Sequence, residues 1–334
     1  MKKRKLGNTD IEVSPICVGC MSFGTPGTMH QWSLDYEDSE KIIRHTLDLG
    51  LNFFDTANSY SKGTSEEFLG RAIKNNIARE KVVIASKVYF NPGRLSKQAI
   101  NREIEGTLKR LGTDYLDLYI IHRFDYDTPI EETMETLNDL VKSGKVRALG
   151  ASAMYGYQFN KMQQIAKDNG WAQFQTLENH YNLLYREDER ELIPVAKEWG
   201  ASLMPYSPLA GGHLAHPDWT TNSLRSKTDK VLKGKYDKME ASDIKIVERV
   251  HELSEKYNLS MSQIATSWLF KKGVTSPIIG ATKEEHYDDA VASINVNLSD
   301  EDVDYLEELY VPHPIVGAIK QNPVEGTILL DEKK

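Results

Sequence analysis

The sequence predicts one closed barrel of eight parallel strands, each followed by a helix: an α/β fold of the (β/α)8, or TIM-barrel, class. Short apolar runs alternate with longer amphipathic stretches along most of the 334 residues, the pattern left by repeated βα units. Several runs, among them Val82-Val83-Ile84-Ala85 and Leu118-Tyr119-Ile120-Ile121, are apolar throughout, which suits parallel strands covered on both faces. An open doubly wound sheet would want a G-x-G-x-x-G turn after its first strand, and none is present. With 40% hydrophobic residues the chain can fill a large core. Barrels of this class commonly run this long as one domain, here residues 1–334.

In chain order, residues 1–15 read as an N-terminal β-hairpin: Lys3–Leu6, a turn at Gly7-Asn8, then Glu12–Val13. Such a hairpin is placed to plug the N-terminal end of the barrel. The eight strand candidates are Ile16–Gly19, Asn52–Asp55, Val82–Lys87, Leu116–Ile121, Ala148–Ala151, Phe174–Glu178, Ser202–Tyr206 and Pro277–Ile279. Helices are expected over Ser39–Leu49, capped at Asp38/Ser39 and stopped by Gly50, and over Glu66–Ile77 and Lys97–Leu111. Ile130–Ser143, Tyr157–Asn169, Asp188–Trp199 and Lys283–Ile294 complete the barrel set. Residues 210–240, rich in Gly, Lys, Asp and Thr, read as a long loop after the seventh strand. Asp243–Tyr257 and Ser262–Lys271 form two successive helices before the eighth, and Ser299–Leu309 is an extra C-terminal helix.

The formal net charge of −8 is spread over mixed acidic and basic residues, with no lysine- or arginine-rich block, so no nucleic-acid partner is expected. No run of eighteen apolar residues offers a membrane span. No apolar stretch follows the basic start Met1-Lys2-Lys3-Arg4-Lys5, so the expected compartment is the cytoplasm. Cys17 and Cys20 have C-x-x-C spacing, but no second pair completes a metal site. They read as small buried hydrophobes, and no metal is expected. Nothing in the sequence chooses between a monomer and a symmetric assembly.

Ionisable residues at the C-terminal ends of barrel strands face the active-site mouth. Asp55 ends the second strand, Lys87 the third and His122 the fourth, while Tyr60 lies five residues beyond Asp55. Singly each has a plain structural explanation, but four complementary groups converging on one rim suit carbonyl reduction. Hydride added to a carbonyl carbon needs a proton delivered to the oxygen by a positioned acid. A phenol such as Tyr60 can serve once a close ammonium lowers its pKa toward the working pH; Lys87 can supply that cation, Asp55 can hold Lys87 charged, and His122 can orient the substrate oxygen. No metal or covalent intermediate is required.

These residues lie in Asn52-Phe53-Phe54-Asp55-Thr56-Ala57, in Val82-Val83-Ile84-Ala85-Ser86 followed by Lys87, and in Asp114-Tyr115-Leu116-Asp117-Leu118-Tyr119 running into His122-Arg123. Gly150-Ala151-Ser152, Tyr206-Ser207-Pro208-Leu209-Ala210-Gly211-Gly212 and Pro277-Ile278-Ile279-Gly280-Ala281-Thr282 follow in order. Over nearly its full length the chain resembles the aldo-keto reductase superfamily. Asn179-His180-Tyr181-Asn182-Leu183-Leu184-Tyr185-Arg186-Glu187 is similar to the branch of fungal aryl-alcohol dehydrogenases and bacterial 1-deoxyxylulose-5-phosphate-linked reductases. The resemblance implies Asp55, Tyr60, Lys87 and His122 as a catalytic tetrad and NADP(H), more than NAD(H), lying extended across the barrel mouth. It implies Ser152 on the nicotinamide carboxamide, Tyr206 stacked on the ring, and Gly24, Ser207, Leu209 and Gly211 along the cofactor. Gly280, Thr282 and Lys283 are implied at the adenosine 2′-phosphate, and His286 near the adenine. A lysine at a helix N-terminus is independently a sound anion site.

Two departures stand out. Ala153 follows Ser152 where the family commonly has Asn or Ser, and Glu178 falls on the position of its carboxamide-binding Gln. A carboxylate accepts from the carboxamide NH2 but cannot donate to its oxygen, so weaker cofactor binding is expected. Near the adenine, His286 and Ala290 replace more usual residues. For a small-molecule carbonyl substrate the loops offer Met21, Trp32, Tyr89, Phe124 and Tyr126 as apolar walls, with Arg123, Arg94 or Arg225 as anion partners. Aromatic aldehydes, short dicarbonyls and sugar phosphates all fit. Two other readings keep the barrel: a cofactor-binding regulatory subunit with slow turnover, and a Schiff-base lyase using Lys87. A facing Asp55 disfavours the second, because a Schiff-base lysine must be neutral.

Overall fold

The computed structural model describes residues 1–219, 224–317 and 319–323, without the side chains of residues 230 and 231. An antiparallel hairpin, β1 (Arg4–Lys5) and β2 (Glu12–Val13), opens the chain. The parallel strands are β3 (Cys17–Gly19), β4 (Phe53–Asp55), β5 (Val83–Val88), β6 (Leu116–Ile121), β7 (Val146–Ser152), β8 (Phe174–Glu178), β9 (Ser202–Leu203) and β10 (Ile278–Ile279). They pair in the order β10-β3-β4-β5-β6-β7-β8-β9. The ring is completed by backbone bonds from Thr275 and Ser276 to the Leu203 carbonyl and from Ile278 to the Pro205 carbonyl (2.9 Å). The eight expected strands are all present, and the barrel is closed.

The helices are α1 (Tyr36–Asp48), α2 (Thr64–Asn76), α3 (Lys97–Leu111), α4 (Ile130–Lys142), α5 (Gly156–Asp168) and α6 (Leu192–Glu198), then α7 (Leu224–Thr228), α8 (Lys230–Tyr236), α9 (Glu240–Tyr257), α10 (Met261–Lys271), α11 (Glu285–Ala292) and α12 (Asp300–Glu307). Four expectations need correction. First, α1 starts before Ser39, because the Asp35 side chain accepts from the Asp38 N–H at 3.0 Å and caps it there. Second, α6 begins only at Leu192: Glu187–Arg190 winds as a 3-10 turn, and Glu191 leaves helical geometry at φ −145°. Third, α11 begins at Glu285, so Lys283 lies in the turn before it. Fourth, the expected loop 210–240 contains α7 and α8, the latter capped by Asp229, whose side chain accepts from the Leu232 N–H. Residues 220–223 of that segment lie outside the described residues.

Two separate hydrophobic clusters follow from the period-2 alternation of the strands. The larger lies between sheet and helices and includes Val18, Phe54, Ile84, Tyr119, Ile121 and Leu149. The smaller fills the barrel lumen with Cys17, Phe53, Val83, Ala85, Leu118, Ile120, Ala148, Met204 and Ile278. Leu6, Ile11 and Val13 of the hairpin segment join this second cluster, so the hairpin does plug the lumen. Gly150 is a glycine for want of room there, since a Cβ would fall 2.3 Å from Thr176 Oγ1. Cys17 and Cys20 are buried free thiols.

Candidate active site

Alternation also decides which polar groups reach the mouth. Above the lumen residue Phe53 comes Asp55; above Ala85, Lys87; above Ile120, His122; above Met204, Tyr206. Their two-residue spacing puts them on the same inward row. On β7 and β8 the paired residues Ser152 and Glu178 end neighbouring strands. Thus the barrel's period, rather than any local motif, assembles the site.

Lys87 is its centre and is fully buried. Its ammonium donates to Asp55 Oδ2 at 2.5 Å, to the Thr56 carbonyl at 3.0 Å and to the Tyr60 hydroxyl oxygen at 3.2 Å. A lysine has three N–H donors, so all three are engaged. Glu178 Oε2 lies 3.5 Å from the same nitrogen without a hydrogen bond. The Tyr60 and His122 rings meet edge to face with centroids 5.9 Å apart. The four groups singled out from the sequence are therefore brought together, with Glu178 as a fifth. Tyr60 is followed by a left-handed turn at Ser61 (φ 46°), Lys62 (φ 55°) and Gly63 (φ 92°), a strained geometry of the kind found at functional loops. Gly24 closes over this turn: at φ 136°, its Cβ would stand 2.4 Å from the Ser61 Cβ.

The electrostatics correct one expectation. Burial raises the Tyr60 phenol above its ordinary range, and Lys87 offsets only part of that rise. Tyr60 is held protonated rather than poised near neutrality. Burial works against the Lys87 charge, but Asp55, Glu178 and Tyr60 together hold the ammonium well above its usual range. That charge is what a Schiff-base lysine lacks. His122 is pushed well below its ordinary value by burial, by Lys87 and by Arg123, and stands as neutral imidazole. Burial, then Asp55, pushes Glu178 up to about 8.

The residues expected along a cofactor form two groups. Ser152 and Glu178 end consecutive strands, Tyr206 lies three residues past the end of β9, and its ring lies parallel to His180 at 5.3 Å. Ser207, Leu209 and Gly211 follow in a tight turn with left-handed Ser207 (φ 55°) and Gly211 (φ 68°). The second group, Gly280, Thr282, Lys283 and His286, lies exposed beyond β10. Lys283 is 63% exposed and 3.7 Å from Glu285. Buried polar atoms that no protein group satisfies include His122 Nδ1 and Glu178 Oε2, both on this rim. A carboxamide, with donors and an acceptor, complements such a set, so the residues present fit a nicotinamide nucleotide. No group of three or more His, Cys, Asp or Glu side chains among the described residues is placed to hold a metal ion.

Of the expected substrate walls, Phe124 and Tyr126 meet edge to face at 5.0 Å. Tyr89 is buried, its hydroxyl donating to Asn322 Oδ1, and Tyr126 donates to the Ile319 carbonyl. The C-terminal segment thus ties down this side of the mouth. Met21 is partly buried in the loop after β3. Trp32 stacks on His30 at 4.4 Å, and the Arg225 guanidinium lies 4.7 Å from its ring, joining the loops after β3 and β9. Arg94 is committed to Asp127 and the Pro323 carbonyl. Sequence reasoning missed Phe90, which packs on His122 at 4.9 Å with the Arg123 guanidinium 5.7 Å from its ring. The period-2 rule ends with β5 and does not reach it.

The aldo/keto reductase family profile matches residues 15–311. A "Putative aryl-alcohol dehydrogenase" of Schizosaccharomyces pombe is 42% identical, covering 94% of this chain and 97% of that protein. A versiconal hemiacetal acetate reductase of Aspergillus parasiticus is 40% identical over 94% of this chain and 98% of its own length. The aldo-keto reductase AMT2 of Alternaria alternata is 39% identical over 94% and 93% respectively. No helix among the described residues is long and apolar enough to cross a membrane.

Proposed function

Because the chain belongs to the aldo/keto reductase family, whose members reduce carbonyl compounds, we propose that this barrel domain reduces aldehydes or ketones with NADPH, and that Tyr60 delivers the proton. One observation carries the assignment: a buried ammonium, held by Asp55 at 2.5 Å, donates to the Tyr60 oxygen at 3.2 Å. Since Lys87 supplies that hydrogen bond, the phenol keeps its own hydrogen for the substrate oxygen. Burial keeps the proton on Tyr60 until an alkoxide, far more basic than a phenolate, forms beside it. The ammonium then faces the phenolate left behind, an interaction strengthened by its enclosure. Neutral His122 orients the carbonyl through a hydrogen bond rather than a charge. NADPH, when bound, supplies the hydride. Ser152, Glu178 and Tyr206 would hold its nicotinamide, Gly24, Ser207, Leu209 and Gly211 its length, Gly280, Thr282 and Lys283 its 2′-phosphate, and His286 would lie near its adenine. The aromatic walls Trp32, Phe90 and Phe124 favour aromatic or other apolar carbonyl substrates.

The test is oxidation of NADPH, and separately of NADH, with an aromatic aldehyde, a short dicarbonyl and a sugar phosphate. Turnover with NADPH above NADH supports the reading. Tight NADPH binding without turnover of any carbonyl would contradict it and favour a regulatory cofactor-binding subunit.

A further inference from the structure

Two carboxyl groups, Asp55 and Glu178, share one buried ammonium. Their distances to Lys87 Nζ are 2.5 Å and 3.5 Å, and all three side chains are at most 3% exposed. Each of the three Lys87 N–H groups is taken by Asp55 Oδ2, the Thr56 carbonyl or the Tyr60 oxygen. Glu178 Oε2 therefore receives no hydrogen bond. An ionised Glu178 here would be a second buried negative charge drawn to an ammonium that Asp55 already holds more closely, with no hydrogen bond to its Oε2. That is the arrangement in which a pair of carboxyl groups retains one proton. As an acid, Glu178 gains an O–H and can do what a carboxylate cannot: donate. We propose that Glu178 stands in this site as the carboxylic acid, and that its O–H donates to the carboxamide oxygen of the bound nicotinamide, making nucleotide affinity depend on that proton.

The inference rests on the reading that a nicotinamide nucleotide occupies the mouth. It also revises the expectation that Glu178 must weaken binding. In the acid form Glu178 presents a donor and an acceptor from one side chain, as an amide does. The groups facing Glu178 leave it as the titrating one between pH 7 and 9.5. Lys87 stays charged, while Tyr60, Tyr206 and the Cys17 thiol are held above their ordinary ranges and stay protonated. Asp55 is raised by burial and drawn back by Lys87, so the Asp55–Glu178 pair holds the proton jointly until Glu178 releases it. Beyond the following Asn179, Asp188 is held near 7 by burial and needs its own control.

Glu178 is here a positioning residue, and the test is the pH dependence of NADPH binding in the whole protein. NADPH dissociation constants would be measured by fluorescence from pH 7 to 9.5, where the nucleotide phosphates stay ionised. The proteins compared are the wild type, Glu178→Gln and the control Asp188→Asn. The wild type and Asp188→Asn should lose affinity above about pH 8, approaching tenfold per unit. Glu178→Gln, which donates at every pH, should stay flat and match the neutral-pH wild type within about threefold. Independently, infrared spectra of nucleotide-free protein should show a protonated carboxyl band at pH 6.5 that Glu178→Gln removes. A flat wild-type profile, a slope shared by Glu178→Gln, or no such band would overturn the inference alone. Failure of all three proteins to bind either NADPH or NADH would overturn it together with the reductase reading.

Discussion

At the scale of single residues, chemistry and backbone geometry make separate demands. Ala153 follows the strand-end residue Ser152 and sits at φ 45°, in the left-handed region. A Cβ there costs on the order of 1–2 kcal/mol, while Gly tolerates it. Ala153→Gly is predicted to raise unfolding stability by roughly 0.5 kcal/mol, after allowing for the extra freedom of glycine in the unfolded chain. Denaturant melts decide it, and a destabilised variant would show that the strain has been misread. Lys283 lies 63% exposed, 3.7 Å from Glu285, so removing it should disturb little of the fold. Lys283→Ala is predicted to weaken NADPH binding about tenfold and leave NADH within twofold, consistent with loss of one charge-assisted contact. Equal weakening of both nucleotides would remove Lys283 from the 2′-phosphate site. The four groups at the rim were legible in the sequence because each ends a strand or lies just past one. The sense of the Tyr60 shift was not, because it depends on how completely the loops bury the phenol, and no spacing rule reports that.

At the scale of elements, the hairpin and the C-terminal segment close opposite ends of one lumen. Leu6 is fully buried in the lumen cluster, at the end remote from Lys87. Leu6→Ala is predicted to cost about 2–4 kcal/mol of stability while leaving kcat/KM unchanged well below the melting temperature. A kinetic defect without a stability defect would mean the plug reaches the site. At the other end, the His313 Nε2 lies 3.0 Å from Asp243 Oδ2, with both side chains 1% exposed. Burial opposes the His313 charge, yet Asp243 outweighs it and holds the imidazole above its ordinary value. A raised folded-state pKa means the added stability is present below the ordinary imidazole range and lost as pH rises through the raised value. Amide exchange of residues 311–317 should therefore be slower in the wild type than in His313→Gln at pH 6, with the difference shrinking by pH 8. A difference that grew with pH would reverse the assignment. Strands and most helices were legible from apolar runs and from Gly and Ser punctuation. The short helices α7 and α8 were not, because five and seven residues with few apolar positions carry no readable period.

At the scale of the whole molecule, closure turns a one-dimensional alternation into a site. Asp55, Lys87, His122, Ser152, Glu178 and Tyr206 are far apart in the chain, and the parallel register of β4 through β9 sets them on one rim. That is why topology and site were read together from the sequence. The long-range ties of Asn322 and Ile319 to Tyr89 and Tyr126 escaped, since nothing local announces them. On the proposed reading, the rim lets Tyr60 give up a proton that burial otherwise holds in place. The most direct test is Tyr60→Phe, with kcat measured beside the NADPH dissociation constant. A loss of about 10²–10⁴ in kcat, with nucleotide affinity kept within threefold, is the predicted result. Retained turnover in a variant that binds NADPH normally would show that Tyr60 is not the proton donor.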